Sequence, residues 1–343
     1  MKLSALHKVA TAMVAPGRGI LAADESTGTI KKRFDAIGVT STADTRRDYR
    51  ELLFRSGDAM AKCISGVILY DETIRQNAKD GTSLVKLIAQ AGAIPGIKVD
   101  KGAKPLPFCP GEVITEGLDG LRERLVEYRN LGAKFAKWRA VIDIGAGIPT
   151  WPCVKANMHA LARYAALCQE EQIVPIVEPE VLMDGGHDVD TCASVTEWVL
   201  RTVYNELFEA RVALEGTVLK PNMVISGKKA GKRASVEEVA EKTVRILKAT
   251  VPATVPGIAF LSGGQSDEEA TAHLDAINRI GDLPWSVTFS YGRALQAAPQ
   301  KAWSGKTENV GAAQRAFAHR ARMNGLAAKG EWSADLEKER KAA

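Results

Sequence analysis

The 343-residue chain has little of what would place it in several broad protein classes. No stretch approaches the roughly 20 uninterrupted apolar residues of a membrane-spanning helix, and the longest apolar runs are the length of strands. A water-soluble protein is expected. Cysteine is scarce: Cys63, Cys109, Cys153, Cys168 and Cys192 are odd in number, widely spaced and never form a CxxC pair, which argues against a disulfide framework and a zinc site. That usage fits a reducing cytoplasm. The histidines also lack ligand spacing. His7, His159, His273 and His319 are scattered over helical stretches, and His187 sits in the acid-rich loop MDGGHDVD, whose carboxylates read as turn and cap residues. No metal and no cofactor is expected. At the N-terminus His7 and Lys8 interrupt what would have to be the apolar segment of a signal peptide, so this stretch reads as a short amphipathic helix.

Charge of one sign does not dominate either. The formal net charge is +5, from 46 basic and 41 acidic residues, which favours anionic ligands without singling out nucleic acid. The basic loop GKKAGKR (227–233) has no interleaved aromatic residues and reads as a solvated loop. GAGIPT (145–150) lacks the third glycine of a dinucleotide fingerprint and puts proline where the helix should begin.

What the sequence does have is rhythm. Eight short apolar runs recur at 19–24, 65–70, 94–100, 133–140, 173–180, 216–222, 257–263 and 286–292, separated by stretches of helical periodicity. Tyr49, Leu52, Leu53 and Ser56 fall at i, i+3, i+4 and i+7; Leu118, Leu121, Leu125 and Tyr128 do so before Leu131-Gly132. Ser235 with Glu238, and Ser266 with Glu269, read as capping boxes. Alternation of strand and helix implies parallel strands, and eight repeats without a composition break predict a single (β/α)8 TIM barrel of the α/β class. One domain, 1–343, is expected, with an N-terminal helix and a tail from about 328 to 343. In such barrels chemistry sits at the C-terminal ends of the strands.

Those ends are charged. Lys137 and Arg139 share one face of their strand and Glu178 and Glu180 share one face of theirs, because strand side chains alternate. Asp24 closes the first run, Lys98 stands near the end of the third, Lys220 near the end of the sixth, and Ser262 and Ser290 take comparable places on the last two. Lysine and glutamate are rarely buried unless paired, and buried pairs stabilise less well than apolar packing. A salt-bridge ring at the barrel mouth accounts for any one of these residues but poorly for the set. Lys220, on the apolar run TVLKPN with Lys137 as a cationic neighbour, fits a nucleophilic amine that forms an iminium with a ketone. Three carboxylates, Asp24, Glu178 and Glu180, are available to move protons.

Two signals suggest phosphate. LSGGQS (261–266) runs from a strand through Gly263 and Gly264 into a capped helix, and SYGR (290–293) repeats the pattern with Gly292 and adds Arg293. A second cationic group, Lys32, Arg33, Lys98 and Arg139, is expected across the mouth. Two anion sites imply a doubly phosphorylated ligand.

The motifs GILAADESTGTIKKR, GIKVDKG, AKFAKWR, IVPIVEPE, EGTVLKPNMV, FLSGGQS and SYGRALQ, in this order, closely resemble those of class I fructose-bisphosphate aldolases, from about Leu6 to about Lys329. The resemblance implies reversible cleavage of fructose 1,6-bisphosphate to dihydroxyacetone phosphate and glyceraldehyde 3-phosphate in glycolysis or gluconeogenesis, with Lys220 forming the Schiff base. It further implies that Glu178 is the acid-base of carbinolamine chemistry, that Glu180 orients the lysine, and that Asp24 with Lys137 handles the C4 hydroxyl. Ser262, Gly263, Gly292 and Arg293 are implied to hold the C1 phosphate, and Ser26, Lys32, Arg33, Lys98 and Arg139 to lie toward C6. A homotetramer is also implied. One departure is clear: many animal and plant members end in a tyrosine implicated in late proton exchange, whereas the last tyrosine here is Tyr291. Two other readings compete, a catalytically inactive phosphate-binding or scaffolding barrel and a different lysine-imine enzyme such as a transaldolase or a pyridoxal phosphate enzyme. The full set of charged strand ends opposes the first, and the two cationic ends oppose the second.

Overall fold

A computed structural model describes residues 3–341. Eight parallel strands close into a barrel: β1 (Gly19–Ala23), β2 (Ile64–Leu69), β3 (Ile94–Lys98), β4 (Phe135–Ile142), β5 (Val174–Val181), β6 (Val218–Leu219), β7 (Gly257–Phe260) and β8 (Ser286–Tyr291). They pair in sequence order, and β8 closes on β1 with Leu21 beside Tyr291. Each falls within or next to one of the eight apolar runs. β6 is the shortest because Pro221 has no N–H to offer the ladder, yet Lys220 N still donates to Val177 O at 2.8 Å, so the lysine continues the strand path by one residue.

Inside the barrel, Ile20, Ala22, Ile68, Phe135, Val174, Ile176, Val218 and Ala259 form one apolar cluster with Leu6, Ala10, Met13 and Val14. The helix Leu3–Met13, read from the sequence as amphipathic, therefore covers the lower end of the barrel. Gly96 is required here, since a Cβ would lie 2.2 Å from the Phe135 ring. The outward faces of the strands pack against the surrounding helices in a second, larger cluster.

The helix signals are realised with adjustments. Ala43–Phe54 buries Tyr49, Leu52 and Leu53, and Leu121–Asn130 buries Leu121, Leu125 and Tyr128, while Leu118 precedes its helix. Ser266 and Glu269 form a complete capping box. Ser235 caps through Glu238 N, but the Glu238 carboxylate lies 3.7 Å from Lys242 one turn on, so the expected reciprocal half is missing there. One element has no sequence counterpart: an antiparallel hairpin, Ala103–Pro105 with Val113–Thr115, follows β3. After the last long helix, Val310–Ala327, the tail turns into a short 3₁₀ segment, Ala334–Lys341, and the last two residues of the expected tail lie outside the described range.

Candidate active site

The inward-facing files of the strands change character as they approach the C-terminal end. Phe135 gives way to Lys137 and Arg139, Ile176 to Glu178 and Glu180, and Val218 to Lys220. These side chains line a cleft of about 420 Å³. Lys137, Glu178, Glu180 and Lys220 are each no more than 4% exposed, and burial at that level calls for charged partners close by. Glu178 is the hub. Its Oε1 lies 3.1 Å from Lys220 Nζ, its Oε2 lies 3.0 Å from Lys137 Nζ, and Lys137 in turn donates to Asp24 Oδ2 at 3.0 Å. The register of β4 and β5 sets Arg139 beside Glu178 in the ladder, and the Arg139 guanidinium reaches on to the Glu180 carboxylate.

Electrostatics fix the charge states along this row. Burial alone would raise the Asp24 and Glu178 carboxyls, but Lys137 and Lys220 outweigh it and hold both below the ordinary carboxylate range. Burial likewise disfavours charged Lys137, yet Asp24, Glu178 and Asp100 reverse that and keep it firmly protonated. The neighbour in contact with Lys220 is thus a carboxylate. The cation expected beside it, Lys137, stands on the far side of that carboxylate.

The two phosphate-type loops meet at the β7–β8 side. Ser262, Gly263, Ser290, Gly292 and Arg293 all line the cleft. A Cβ on Gly263 would lie 2.9 Å from Glu180 Oε1, so glycine lets the loop backbone approach the acid row. Gly264 is not among the lining residues; its φ of +77° makes it the turn residue, facing Met183. Ser290 Oγ is buried without a hydrogen-bond partner at the cleft wall. Arg293 donates to Gln265 O at 3.1 Å, tying the two loops together.

The remaining candidates divide. Lys98 and Arg139 lie in the cleft, Lys98 paired with Asp100 at 2.8 Å. Ser26 and Arg33 also line it, with Thr29 between them on one face of the helix Thr27–Asp35. Lys32 does not: it is exposed and absent from the lining. Arg33 also departs from its expected place across the mouth. Its guanidinium pairs with Glu25 and lies 3.8 Å from where a Cβ on Gly292 would sit, because β1 and β8 are neighbours in the closed barrel. Three acidic or polar lining groups had escaped sequence reasoning: Glu25, Thr29 and Asp100. Strand alternation from Lys98 would have found Asp100, and helical spacing from Ser26 would have found Thr29. Ala103 and Thr115 of the hairpin, with Gly102 just before it, add to the wall and carried no signal.

Fold and cleft together define a (β/α)8-barrel enzyme whose lysine-rich, carboxylate-buffered site opens on two anion-type loops. Comparison with known proteins gives the particular family. A sequence profile described as fructose-bisphosphate aldolase class-I matches residues 5–343. The chain is 59% identical over 333 residues, 97% of its length and 99% of the other's, to a probable fructose-bisphosphate aldolase class 1 of Xanthomonas campestris pv. campestris. It is 52% identical to a fructose-bisphosphate aldolase of Drosophila melanogaster, covering 96% and 91% of the two chains. Among solved structures, fructose-bisphosphate aldolase from Plasmodium falciparum, in complex with TRAP and a small-molecule inhibitor, superposes with a TM-score of 0.95 at 48% identity over 97% of this chain and 96% of that one. The chain belongs to the class I fructose-bisphosphate aldolase family.

Proposed function

We propose that this chain, as a single barrel domain, catalyses the reversible aldol cleavage of fructose 1,6-bisphosphate to dihydroxyacetone phosphate and glyceraldehyde 3-phosphate through an imine on Lys220. The observation that carries the mechanism is the unbroken row Asp24, Lys137, Glu178, Lys220, with 3.0 to 3.1 Å between successive charged atoms. Glu178 is the only one of these groups in contact with Lys220, so it is assigned the proton that the amine sheds before attacking the ketone, and its return to the carbinolamine hydroxyl as water leaves. The iminium then accepts the electron pair of the breaking C3–C4 bond. Asp24, held anionic by Lys137, takes the C4 hydroxyl proton as that bond breaks. Glu180, engaged by Arg139 and pressed by the Gly263 backbone, shapes the wall between the acid row and the phosphate loop.

Substrate placement follows from the two ends of the cleft. Ser262, Gly263, Ser290, Gly292 and Arg293 are assigned the C1 phosphate, with Gly264 shaping the turn, and Ser26, Lys98 and Arg139 the C6 end. Arg33 stands beside the β8 loop, and Lys32 serves the approach rather than the cleft. Metal independence is supported by the acids themselves, since Asp24, Glu25, Asp100, Glu178 and Glu180 are each turned to a lysine or arginine. Activity that survives EDTA is the expected result, and activity lost to EDTA and restored by zinc would refute it. A cytoplasmic homotetramer is part of the same proposal, tested by light scattering on the purified protein. The decisive experiment is borohydride trapping with dihydroxyacetone phosphate, followed by digestion and mass spectrometry. An adduct on Lys220 is expected; none, from protein that still cleaves the sugar bisphosphate, overturns the imine.

A further inference from the structure

The tail of the chain is tied down at one buried arginine, and the other side of that arginine reaches the start of the helix behind the phosphate loop. Arg320, in the helix Val310–Ala327, is 2% exposed. Its Nη1 donates to both carboxylate oxygens of Glu337 at 2.7 Å, and Glu337 also meets His319 Nε2 at 2.8 Å and accepts from Trp332 Nε1 at 3.1 Å. On the opposite side Arg320 Nη2 donates to Asp267 O at 3.1 Å and to Thr271 Oγ1 at 2.5 Å. Asp267 opens the helix Asp267–Ile280, directly after the loop Ser262–Ser266. The same helix is held a second time from the tail: Trp332 N donates to Asp275 Oδ1 at 2.8 Å, and Arg279 donates to Gly330 O and Trp332 O.

None of these residues is among those that line the cleft, and apolar packing would stabilise the junction better than a buried arginine. What the arginine supplies is direction. A planar guanidinium whose Nη1 is fixed by both oxygens of a carboxylate has its Nη2 aimed in a fixed direction, here at Asp267 O and Thr271 Oγ1 at the start of one helix. The orientation of that turn sets where the loop's backbone amides point, and an anion site at a helix N-terminus depends on that aim.

We propose that Arg320 is a positioning residue for the phosphate loop, and that Glu337 in the tail sets its aim, so docking of the tail strengthens the grip on a substrate phosphate. This rests on the reading of Ser262–Ser266 as a phosphate site. The test uses full-length protein with Glu337→Ala, Glu337→Asp and, as a control on the site itself, Ser262→Ala. Three quantities are measured: kcat and KM for fructose 1,6-bisphosphate, the inhibition constant of inorganic phosphate, and borohydride trapping of unphosphorylated dihydroxyacetone.

For Glu337→Ala, KM and the phosphate inhibition constant both rise about fivefold, in the range that remote coupling residues produce. In the same variant kcat stays within about twofold and trapping of dihydroxyacetone is unchanged, a split that general loosening would not give. Glu337→Asp recovers most of the phosphate affinity. If phosphate inhibition is unchanged in Glu337→Ala although Ser262→Ala weakens it, the tail linkage is wrong. Equal losses in phosphate affinity and in dihydroxyacetone trapping also overturn it, since they mark a structural effect only. If Ser262→Ala itself leaves phosphate inhibition untouched, the phosphate-site reading fails, and the linkage with it.

Discussion

Phe135 and Lys137 stand two residues apart on the same face of β4, both almost completely buried, and they belong to opposite kinds of interior. Below the level of Phe135 the barrel is filled by aliphatic and aromatic side chains that need nothing from one another except shape. Above it, Lys137, Lys220, Glu178 and Glu180 occupy the same files at nearly the same burial, with the half-exposed Arg139 at the rim. The lower layer gains free energy from every contact, at about 25 cal/mol per Å² of apolar surface removed from water. The upper layer must recover a desolvation cost of several kcal/mol per ion from its own pairing, and such rows commonly contribute little net stability. The contrast teaches where function lies: charge is retained in a buried layer that packing alone would have made apolar.

The sharpest way to break that contrast is to make the upper layer apolar at its key position. Lys220→Met is expected to lower the rate of sugar bisphosphate cleavage by at least about 10⁴-fold, because no other group supplies the imine nitrogen. It is expected to leave the melting temperature unchanged or higher, since Glu178 keeps Lys137 at 3.0 Å as a counter-charge and one fewer ammonium has to be buried. A coupled cleavage assay beside calorimetry reads both. A large fall in melting temperature would mean that the row is structural after all.

The opposite exchange belongs one layer down. Phe135→Ala removes a ring that fills the space above Gly96 and packs against the N-terminal helix cluster, and should cost about 3–5 kcal/mol. The folded fraction should keep its activity within about tenfold, because Lys137 is positioned by Asp24 and Glu178 rather than by the ring. Urea denaturation with activity measured at low denaturant separates the two effects. Collapse of activity at unchanged stability would erase the boundary between the layers.

These layers were unequally legible in the sequence. The eight strands of the barrel follow from short apolar, β-branched-rich runs, a local signal that could be read directly, whereas strands buried on both faces leave no alternation to mark which apolar residues face inward. The upper row could be read as far as which residues face inward, but not as far as who pairs with whom. Glu178 touches Lys220 while Glu180 turns to Arg139, although both glutamates share a face, because pairing depends on register between strands distant in sequence. Helical twist decided the fate of Lys32, which spacing alone had grouped with Arg33. The hairpin after β3 was hidden by its composition, KPLPFCPGEVIT, in which three prolines and a glycine read as an irregular loop.

A smaller effect should appear on the acid side. Asp24 has a folded-state pKa held below its ordinary 3.8 by Lys137 and Lys220 against the effect of burial. A depressed carboxyl contributes stability that is fully present above the unfolded pKa, near pH 4, and is lost as pH falls through the folded value. Asp24→Asn removes that term, so the fall in melting temperature between pH 7 and pH 3 should narrow by about 1–2 °C. An unchanged slope would mean that the Asp24–Lys137 pair contributes nothing to folding and that the upper layer is held by Glu178 alone.

The slightest change tests the contrast at a single atom. Ser290 Oγ is buried at the cleft wall with no partner, one residue from the aromatic Tyr291 that packs outward behind the barrel. An unpartnered buried hydroxyl costs about 1–3 kcal/mol, so replacing it with a methyl should leave stability unchanged or raise it slightly. If the hydroxyl is kept for a ligand, Ser290→Ala should raise KM for the bisphosphate severalfold, by about 1 kcal/mol of lost binding, with little change in kcat. A variant that is more stable and binds as well would make Ser290 an unfilled packing defect rather than part of the site. Weaker binding at equal or greater stability would extend to a neutral side chain the rule that the charged row obeys, in which the upper layer is built for what it binds and the lower one for what it excludes.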